Sequence, residues 1–454
     1  MSRLATAILL GIVVGALYSV SPLTAWCGVI TAIVLALAGR GLPEADRHAL
    51  TVLLAVALVA RVVAIGAMFI VNTPMHDDES IAMLSGDEAY GLNRAMRTRD
   101  VLTGAPVTQY DYFITYDEYG RNSYITALTA IQMLFGPTPY SMRLLNALVF
   151  VVAAILLFRL TRSAFGPLPA FGGLAVLLFL PTFFAWSISL LKEPLYLLVT
   201  AIVFTAAASA VRGRSWQQRV LAILGAGASL VVARDLRPEA VPLILAGLGV
   251  GVAALLFFSL PLRYRLATVV IIALAAVGVM TRSTAPSRLG ATLDAAAKTQ
   301  TGHVFTRGHS YKVLDPAFYF MPVTPLQSTL SLAPGEAARY VLRSAASFVT
   351  VPWPWDFASA RELLYLPEQV LWYVMVALLP VGIVAGWRRD RFVTMLLAGY
   401  MIPTAAAIAL TNGNVGTLLR LRGIVIPYVV LLSAVGFIAA LQWAAARAVR
   451  SAAA

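Results

Sequence analysis

Charged residues and cysteine are scarce in this sequence of 454 residues. Only 12% of the residues are charged, whereas 60% are hydrophobic. A soluble protein of this length would need far more charge to cover its surface, so a soluble fold is excluded. The single cysteine, Cys27, allows neither an intrachain disulfide nor a cysteine metal cluster.

Long apolar runs are abundant, and many exceed the ~18 residues that suggest a membrane span. We therefore predict an all-α polytopic membrane protein with about 12 transmembrane helices. The predicted spans lie near residues 4–20, 23–39, 50–71, 142–160, 168–187, 194–211, 218–233, 240–260, 266–281, 367–387, 392–410 and 422–446. The predicted organisation is two N-terminal helices (1–48), a helical module (49–281) with a first extracytoplasmic loop (72–141), a second large extracytoplasmic loop (282–366) and C-terminal helices (367–454).

The distribution of cations predicts the orientation of these spans. If the N-terminus is cytoplasmic, every short inner loop is basic, and together these loops hold 15 of the 34 cations and three of the 21 acids. Topology and anionic lipid headgroups then explain most of the net charge of +13, so membrane lipids are expected partners and nucleic acid is not. The sequence predicts an inner or plasma membrane protein with cytoplasmic termini and an extracytoplasmic active site.

Two acids, Asp87 and Glu88, stand in the first extracytoplasmic loop within GDEAYGLNRA. One interpretation is that they begin a helix, where the helix dipole favours negative charge. The other is chemical, because a carboxylate at the membrane surface can lose water, gain basicity and deprotonate an incoming hydroxyl or amine. The sequence is compatible with both interpretations.

A second charged group, Lys192 and Glu193, lies at the predicted outer end of a span, where Pro194 opens the next helix. The simple interpretation is an ion pair at the membrane interface. Charges at apolar helix ends are nevertheless costly and frequently functional, which favours a role for Glu193 in a site.

Arginines at the outer ends of spans oppose the positive-inside rule, so something should hold them there. Guanidinium groups suit phosphate oxygens, which predicts a site for a lipid phosphate. Pairing with local acids such as Asp235 and Glu239 is the alternative. The candidates are Arg143, Arg234, Arg237, Arg420 and Arg422, with Lys192 beside them.

Two further stretches of the first extracytoplasmic loop carry predictions. Asp77 and Asp78, together with Glu88, have the oxygen ligands that a divalent metal ion prefers, although a solvated loop is the simpler interpretation of HDDES. The apolar stretch 121–136 is too short for a span and is predicted to be an interfacial helix.

Three stretches resemble the GT-C superfamily of membrane glycosyltransferases, in particular its branch of protein O-mannosyltransferases and lipid A aminoarabinose transferases. GDEAYGLNRA resembles the first-loop acidic motif of that branch, and LLKEPLY resembles its second-loop acid followed by proline. RNSYITALTAIQMLFGPTPYSMRLLNAL is similar to its block of a juxtamembrane helix, Phe-Gly and Arg-Leu. The resemblance covers residues 84–200 and implies a GT-C-like fold with juxtamembrane helices in the first extracytoplasmic loop.

The resemblance also implies roles for individual residues. Asp87 would be the general base or the acid that orients the acceptor, Glu88 its supporting acid or metal neighbour, and Glu193 the second acid. Arg121 falls close to the position of a lysine that contacts lipid phosphate in that branch. The implied reaction transfers a sugar from a polyprenyl-phosphate donor to an extracytoplasmic lipid, glycan or protein, with inversion at the anomeric carbon.

The sequence is also compatible with two other functions. A flippase or transporter for lipid-linked glycans would need charges along a path through the bilayer, and only Arg61 lies clearly within a predicted span. A glycan polymerase or ligase that uses lipid-pyrophosphate oligosaccharide would also explain the outer arginines. That enzyme would depend on the arginines rather than on Asp87.

Overall fold

The computed structural model describes residues 11, 15, 21–72, 86–118, 120, 122–281, 284–306, 308–319, 331–356, 363 and 365–453. Within these ranges the regular structure is helical, and no β-strand is formed there. The helices are α1 (Pro22–Ala38), α2 (Glu44–Asn72), α3 (Gly86–Thr103), α4 (Gln109–Tyr116), α5 (Ser123–Phe135), α6 (Pro139–Phe165), α7 (Pro167–Phe179), α8 (Pro181–Ile188), α9 (Glu193–Arg212), α10 (Trp216–Leu236), α11 (Ala240–Ser259), α12 (Leu262–Thr281), α13 (Thr284–Val304), α14 (Pro334–Thr350), α15 (Leu366–Arg389), α16 (Arg391–Thr411), α17 (Val415–Arg422) and α18 (Ile426–Ala453).

Seven of these described helices are long and apolar enough to cross a membrane: α2, α6, α9, α11, α15, α16 and α18. The pair α7 and α8 would make an eighth span if its bend of 58° is counted within one crossing. The all-helical, multi-pass membrane architecture predicted from the sequence is therefore confirmed. The count of 12 stays a prediction, since most of the first predicted span (4–20) falls outside the described residues.

The short apolar stretch of the first predicted outer loop forms α5, a helix of 13 residues. Asn122 caps its N-terminus by accepting hydrogen bonds from the backbone N–H groups of Tyr124 and Ile125. Gly136 ends the helix with a φ of 77°, a conformation that glycine adopts without strain. A helix of this length is too short to span a bilayer, as predicted. Its interfacial location stays a prediction.

The chain divides into two compact units, Met1–Val241 and Pro242–Ala454, here called the first and the second unit. In the first unit α6 is the central helix, and α1, α2, α7 and α9 pack around it. In the second unit α15 packs along α18, and α16 contacts both of them as well as α13 and α14. The four segments predicted from the sequence stay a prediction.

A proline break separates α7 from α8 and is braced by a buried arginine. Pro181 cannot donate a backbone hydrogen bond, so the helix bends at this point. Arg61 of α2 is fully buried and donates from Nη2 to the Leu178 carbonyl oxygen at 2.8 Å and from Nε to Ser187 Oγ at 2.8 Å. The Arg61 guanidinium thus forms hydrogen bonds with α7 on one side of the bend and with α8 on the other.

Aromatic rings enclose the same guanidinium. Its carbon lies 5.1 Å from the centre of the Phe150 ring and 4.9 Å from that of Phe184, distances at which cation–π attraction operates. Arg61 also donates to the Ala57 carbonyl oxygen of its own helix. The charge in the middle of α2 is therefore held by protein groups and does not face solvent.

In the second unit, α15 and α18 approach so closely that glycine is required at the crossing. A Cβ atom on Gly382 would collide with the Leu432 carbonyl oxygen, and one on Gly436 with the Leu378 carbonyl oxygen. Small residues at such crossings let helix backbones pack tightly in membranes.

Replacing Gly382 by Val is expected to destabilise the protein by at least the roughly 1–3 kcal/mol of an overpacked core, because the colliding atom belongs to the backbone and cannot rotate away. Thermal unfolding of the purified protein in detergent measures the effect. Gly249→Val is the matched control, since nothing lies within 4 Å of a Cβ atom at that position of α11. Equal melting temperatures for the two variants would contradict the packing described.

Candidate functional site

A buried ion pair joins the first turn of α3 to the second turn of α6. The helix α3 begins at Gly86, so Asp87 and Glu88 both lie in its first turn, as one of the two sequence interpretations predicted. The Glu88 side chain is 0% exposed and that of Arg143 is 4% exposed. Both Nε and Nη2 of Arg143 lie 2.9 Å from Glu88 Oε1.

The turn between α8 and α9 contributes to the same pair. Leu190 donates its backbone N–H to Glu88 Oε1 at 3.0 Å. Asn146, one helical turn beyond Arg143, donates from Nδ2 to the carbonyl oxygens of Ser189 and Leu191 at 2.6 and 3.2 Å. The position of the turn is thus fixed by side chains from α3 and α6.

A second ion pair involves Glu193, the residue that begins α9 directly after this turn. Glu193 is 5% exposed, and its Oε1 accepts a hydrogen bond of 2.8 Å from Nη2 of Arg237. The Arg237 guanidinium also lies 5.7 Å from the centre of the Tyr196 ring. Lys192 donates from Nζ to the Leu236 carbonyl oxygen at 3.1 Å. The α8–α9 turn is therefore attached to the end of α10 as well.

The alternative that Arg237 pairs with an acid close to it in the sequence is wrong. Arg237 pairs with Glu193, which lies 44 residues away along the chain. Asp235 instead accepts hydrogen bonds from the backbone N–H and the hydroxyl of Ser123 at the start of α5. Glu193 therefore pairs with Arg237 and not with its neighbour Lys192, which donates to the Leu236 carbonyl oxygen.

Tyr124 lies near both ion pairs, and its buried hydroxyl makes no hydrogen bond within the described residues. Its ring is buried, and burial together with the negative charges of Glu193 and Glu88 raises the pKa of its phenol well above the ordinary value. Tyr124 therefore stays protonated as a neutral hydroxyl near both carboxylates. We call Glu88, Arg143, Glu193, Arg237 and Tyr124 the paired-acid cluster. Sequence analysis missed Tyr124, because no local pattern marks a residue whose partners lie on other helices.

Asp87 differs from its neighbour Glu88, since its side chain is exposed at the edge of the cluster. Arg234, at the end of α10, is also exposed. Of the other predicted site residues in this unit, Asp77, Asp78 and Arg121 lie outside the described residues. The first turn of α3 therefore carries an exposed carboxylate, Asp87, next to a buried one, Glu88.

The described residues contain no group of three or more His, Cys, Asp or Glu side chains that could hold a metal ion. Glu88, one of the three residues proposed as metal ligands, is bonded to the Arg143 guanidinium and to a backbone amide. A divalent metal site involving Asp77 and Asp78 stays a prediction.

The second unit holds the remaining predicted phosphate ligands, Arg420 and Arg422, in the last turn of α17. Arg422 is buried under the rings of Phe348 and Trp372, whose centres lie 5.5 and 5.1 Å from its guanidinium carbon. It donates to the Val351 carbonyl oxygen and, at 3.3 Å, to Gln369 Oε1. Arg420 is half-buried.

Several polar atoms around Arg422 remain unsatisfied. Within the described part of the chain, Arg422 Nε, Gln369 Nε2 and the Tyr311 hydroxyl have no hydrogen-bond partner, although all three are buried. A buried donor without an acceptor costs folding free energy, so a hydrogen-bond acceptor bound beside Arg422 would stabilise this region. Burial also raises the pKa of the Tyr311 phenol, so that group is a donor at neutral pH.

Comparison of the chain with protein-family models, with curated proteins and with solved structures gave no match. The class that the fold defines is a multi-pass helical membrane protein. The GT-C resemblance of residues 84–200 stays a prediction.

Proposed function

We propose that this protein is a membrane glycosyltransferase of GT-C type that transfers a sugar from a polyprenyl-phosphate donor to an extracytoplasmic acceptor. The observation that carries the proposal is that two neighbouring acids in the first turn of α3 differ in exposure: Asp87 is exposed and Glu88 is buried. Two adjacent acids in different environments can have different chemical roles. Asp87 can meet an acceptor hydroxyl or amine, and Glu88 fixes the turn that carries it.

In this mechanism Asp87 takes the proton from the acceptor as its oxygen or nitrogen attacks the anomeric carbon of the donor. The bond from that carbon to the phosphate oxygen breaks, and polyprenyl phosphate leaves. Cationic groups must stabilise the charge that develops on the phosphate. The arginines at the predicted outer helix ends are proposed for that role.

The acids of the paired-acid cluster are proposed as supports for the reacting groups. Glu88 and Glu193 are each bonded to an arginine and are almost completely buried, so neither carboxylate is accessible to an acceptor. Glu88 links α3 to α6 and to the turn before α9, and Glu193 links the start of α9 to the end of α10. Such pre-organisation keeps a catalytic group in a productive position.

Turnover with a panel of polyprenyl-phosphate sugars tests the proposal. Purified protein in lipid nanodiscs is incubated with each donor and an extract of envelope acceptors, and release of free polyprenyl phosphate is measured. Release that requires both the protein and the acceptor supports a transferase. Flipping of a fluorescent lipid-linked sugar across proteoliposomes without release of polyprenyl phosphate would contradict it and support a transporter.

The transporter alternative is disfavoured by the surroundings of Arg61. A charge that lines a transport path should face a water-filled cavity. The Arg61 guanidinium is instead fully buried among two aromatic rings, a hydroxyl and two backbone carbonyl oxygens. It braces the break between α7 and α8.

Replacing Arg420 by Gln is expected to weaken binding of a polyprenyl-phosphate donor about tenfold or more, because a charge-assisted hydrogen bond to phosphate is lost. Donor affinity is measured by microscale thermophoresis with a fluorescent donor analogue. Arg388→Gln is the matched control, since it removes an exposed arginine from a predicted inner loop. Unchanged affinity in Arg420→Gln would remove Arg420 from the donor site.

A further inference from the structure

A cavity of about 960 Å³ lies in the first unit between α6, α9 and α10. Three arginines line it, Arg159, Arg212 and Arg214, and all three are exposed. None of its lining residues is an acid within the described part of the chain. The cavity is therefore a cationic recess, which we call the basic recess.

The basic recess lies at the end of the first unit that the charge distribution predicts to be cytoplasmic. Arg159 donates from Nη2 to the Ala38 and Arg40 carbonyl oxygens at 2.9 and 2.8 Å, so the basic segment after α1 lies beside it. Arg162, one turn further along α6, pairs with Asp46 at the start of α2. The paired-acid cluster occupies the opposite ends of α6 and α9 and shares no residue with the recess.

The walls of the basic recess are apolar. Leu156, Ile202 and Leu221 come from the three helices that form it, and they lie closer to the middle of those helices than the arginines do. A cationic rim above an apolar groove matches a molecule with an anionic head and a hydrocarbon tail. A small free anion would make no use of the apolar wall.

The short connection between α9 and α10 holds its arginines in place. Arg219 donates from Nε to the Gly213 carbonyl oxygen at 3.0 Å, and Gln218 Oε1 accepts the backbone N–H of Arg214 at 3.2 Å. Ser215 caps α10 by accepting from the Gln218 N–H. This turn is closed by its own hydrogen bonds, so Arg212 and Arg214 are presented from a fixed backbone.

We propose that the basic recess binds one anionic diacyl phospholipid of the cytoplasmic leaflet, with its phosphate at the arginines and an acyl chain along the apolar wall. Basic pockets between transmembrane helices on the cytoplasmic side bind anionic headgroups in this way. The recess is within the 300–1,000 Å³ range typical of small-molecule sites. The proposal is independent of the proposed transferase activity.

Lipid retention by the full-length protein tests the proposal. Wild type and variants are purified in a non-ionic detergent, titrated with dioleoylphosphatidylglycerol or dioleoylphosphatidylcholine, and examined by native mass spectrometry. We expect one tightly held phosphatidylglycerol in the wild type. The R212Q/R214Q variant should bind it at least about tenfold more weakly, since each arginine near the membrane surface contributes to attraction of anionic lipid.

Two controls separate a specific site from general charge and from misfolding. R447Q/R450Q removes the same charge from the exposed end of α18 and should bind as the wild type does. Gly225→Leu leaves every charge in place but fills the recess, because Gly225 lines it and nothing lies within 4 Å of a Cβ atom there. Gly227→Leu, an equally open position that does not line the recess, is its matched control.

Loss of phosphatidylglycerol binding in R212Q/R214Q and in Gly225→Leu, with both controls unchanged, would support the proposal. If R212Q/R214Q fails to fold, loss in Gly225→Leu alone carries the same conclusion. Unchanged binding in Gly225→Leu, equal loss in R447Q/R450Q or equal affinity for phosphatidylcholine would overturn it. Displacement of the lipid by millimolar inorganic phosphate would also overturn it, because the recess would then be a site for small anions.

Discussion

Asp87→Asn is expected to lower the turnover of a polyprenyl-phosphate sugar by about 10²–10⁴-fold, the range that a general base contributes. The substitution keeps the shape of the side chain but removes its ability to accept a proton. Because Asp87 is exposed in the first turn of α3, the melting temperature should change little. Released polyprenyl phosphate, measured at saturating donor, gives the rate.

Glu118→Gln is the control for this experiment. Glu118 is another exposed carboxylate of the predicted first extracytoplasmic loop, so its loss changes the net charge equally and should leave turnover intact. Full activity in Asp87→Asn would exclude Asp87 as the base. Loss of activity in arginine variants without loss in Asp87→Asn would favour the polymerase or ligase that uses a lipid-pyrophosphate donor.

Arg143→Met should have the largest effect on stability, about 3–5 kcal/mol, because it leaves the fully buried Glu88 carboxylate without its cation. Methionine retains most of the apolar volume of the side chain, so loss of the ion pair dominates the change. Chemical unfolding in detergent, followed by tryptophan fluorescence, gives the difference in free energy.

A double-variant cycle shows whether the pair itself is responsible. Glu88→Gln combined with Arg143→Met removes both charges and should cost clearly less than the sum of the two single variants. Arg234→Met, which removes an exposed arginine at the end of α10, should stay within about 0.5 kcal/mol of the wild type. Additive effects of the two single variants would show that Glu88 and Arg143 act independently, contrary to the geometry described.

The features that the sequence predicts well are local ones. Pro194 lies in the first turn of α9, as expected from the lack of a backbone N–H in proline. The stretch 121–136, predicted to form a helix too short for a span, contains a helix of 13 residues. The apolar runs predict a multi-pass helical fold because their length and composition suffice for that conclusion.

The features that the sequence does not predict depend on contacts between distant segments. Glu88 and Arg143 are 55 residues apart, and no periodicity relates them. The single span predicted at 168–187 is a bent pair of helices, since Pro181 removes a hydrogen bond inside the apolar run. That proline was visible in the sequence, whereas the arginine of α2 that braces the bend was not recognisable as its partner.

The brace at Pro181 has a consequence for biogenesis. Arg61 lies 117 residues before Leu178 and 126 residues before Ser187, the acceptors on either side of the bend. At a synthesis rate of about 5–20 residues per second, Arg61 joins the chain roughly 6–25 s before those acceptors do. Placing an arginine at the centre of a membrane helix costs about 2.5–3.5 kcal/mol during insertion. Until α7 and α8 are inserted, only the apolar residues of α2 offset that free-energy cost. Packing of the first unit around Arg61 is therefore complete only after α7 and α8 have been synthesised.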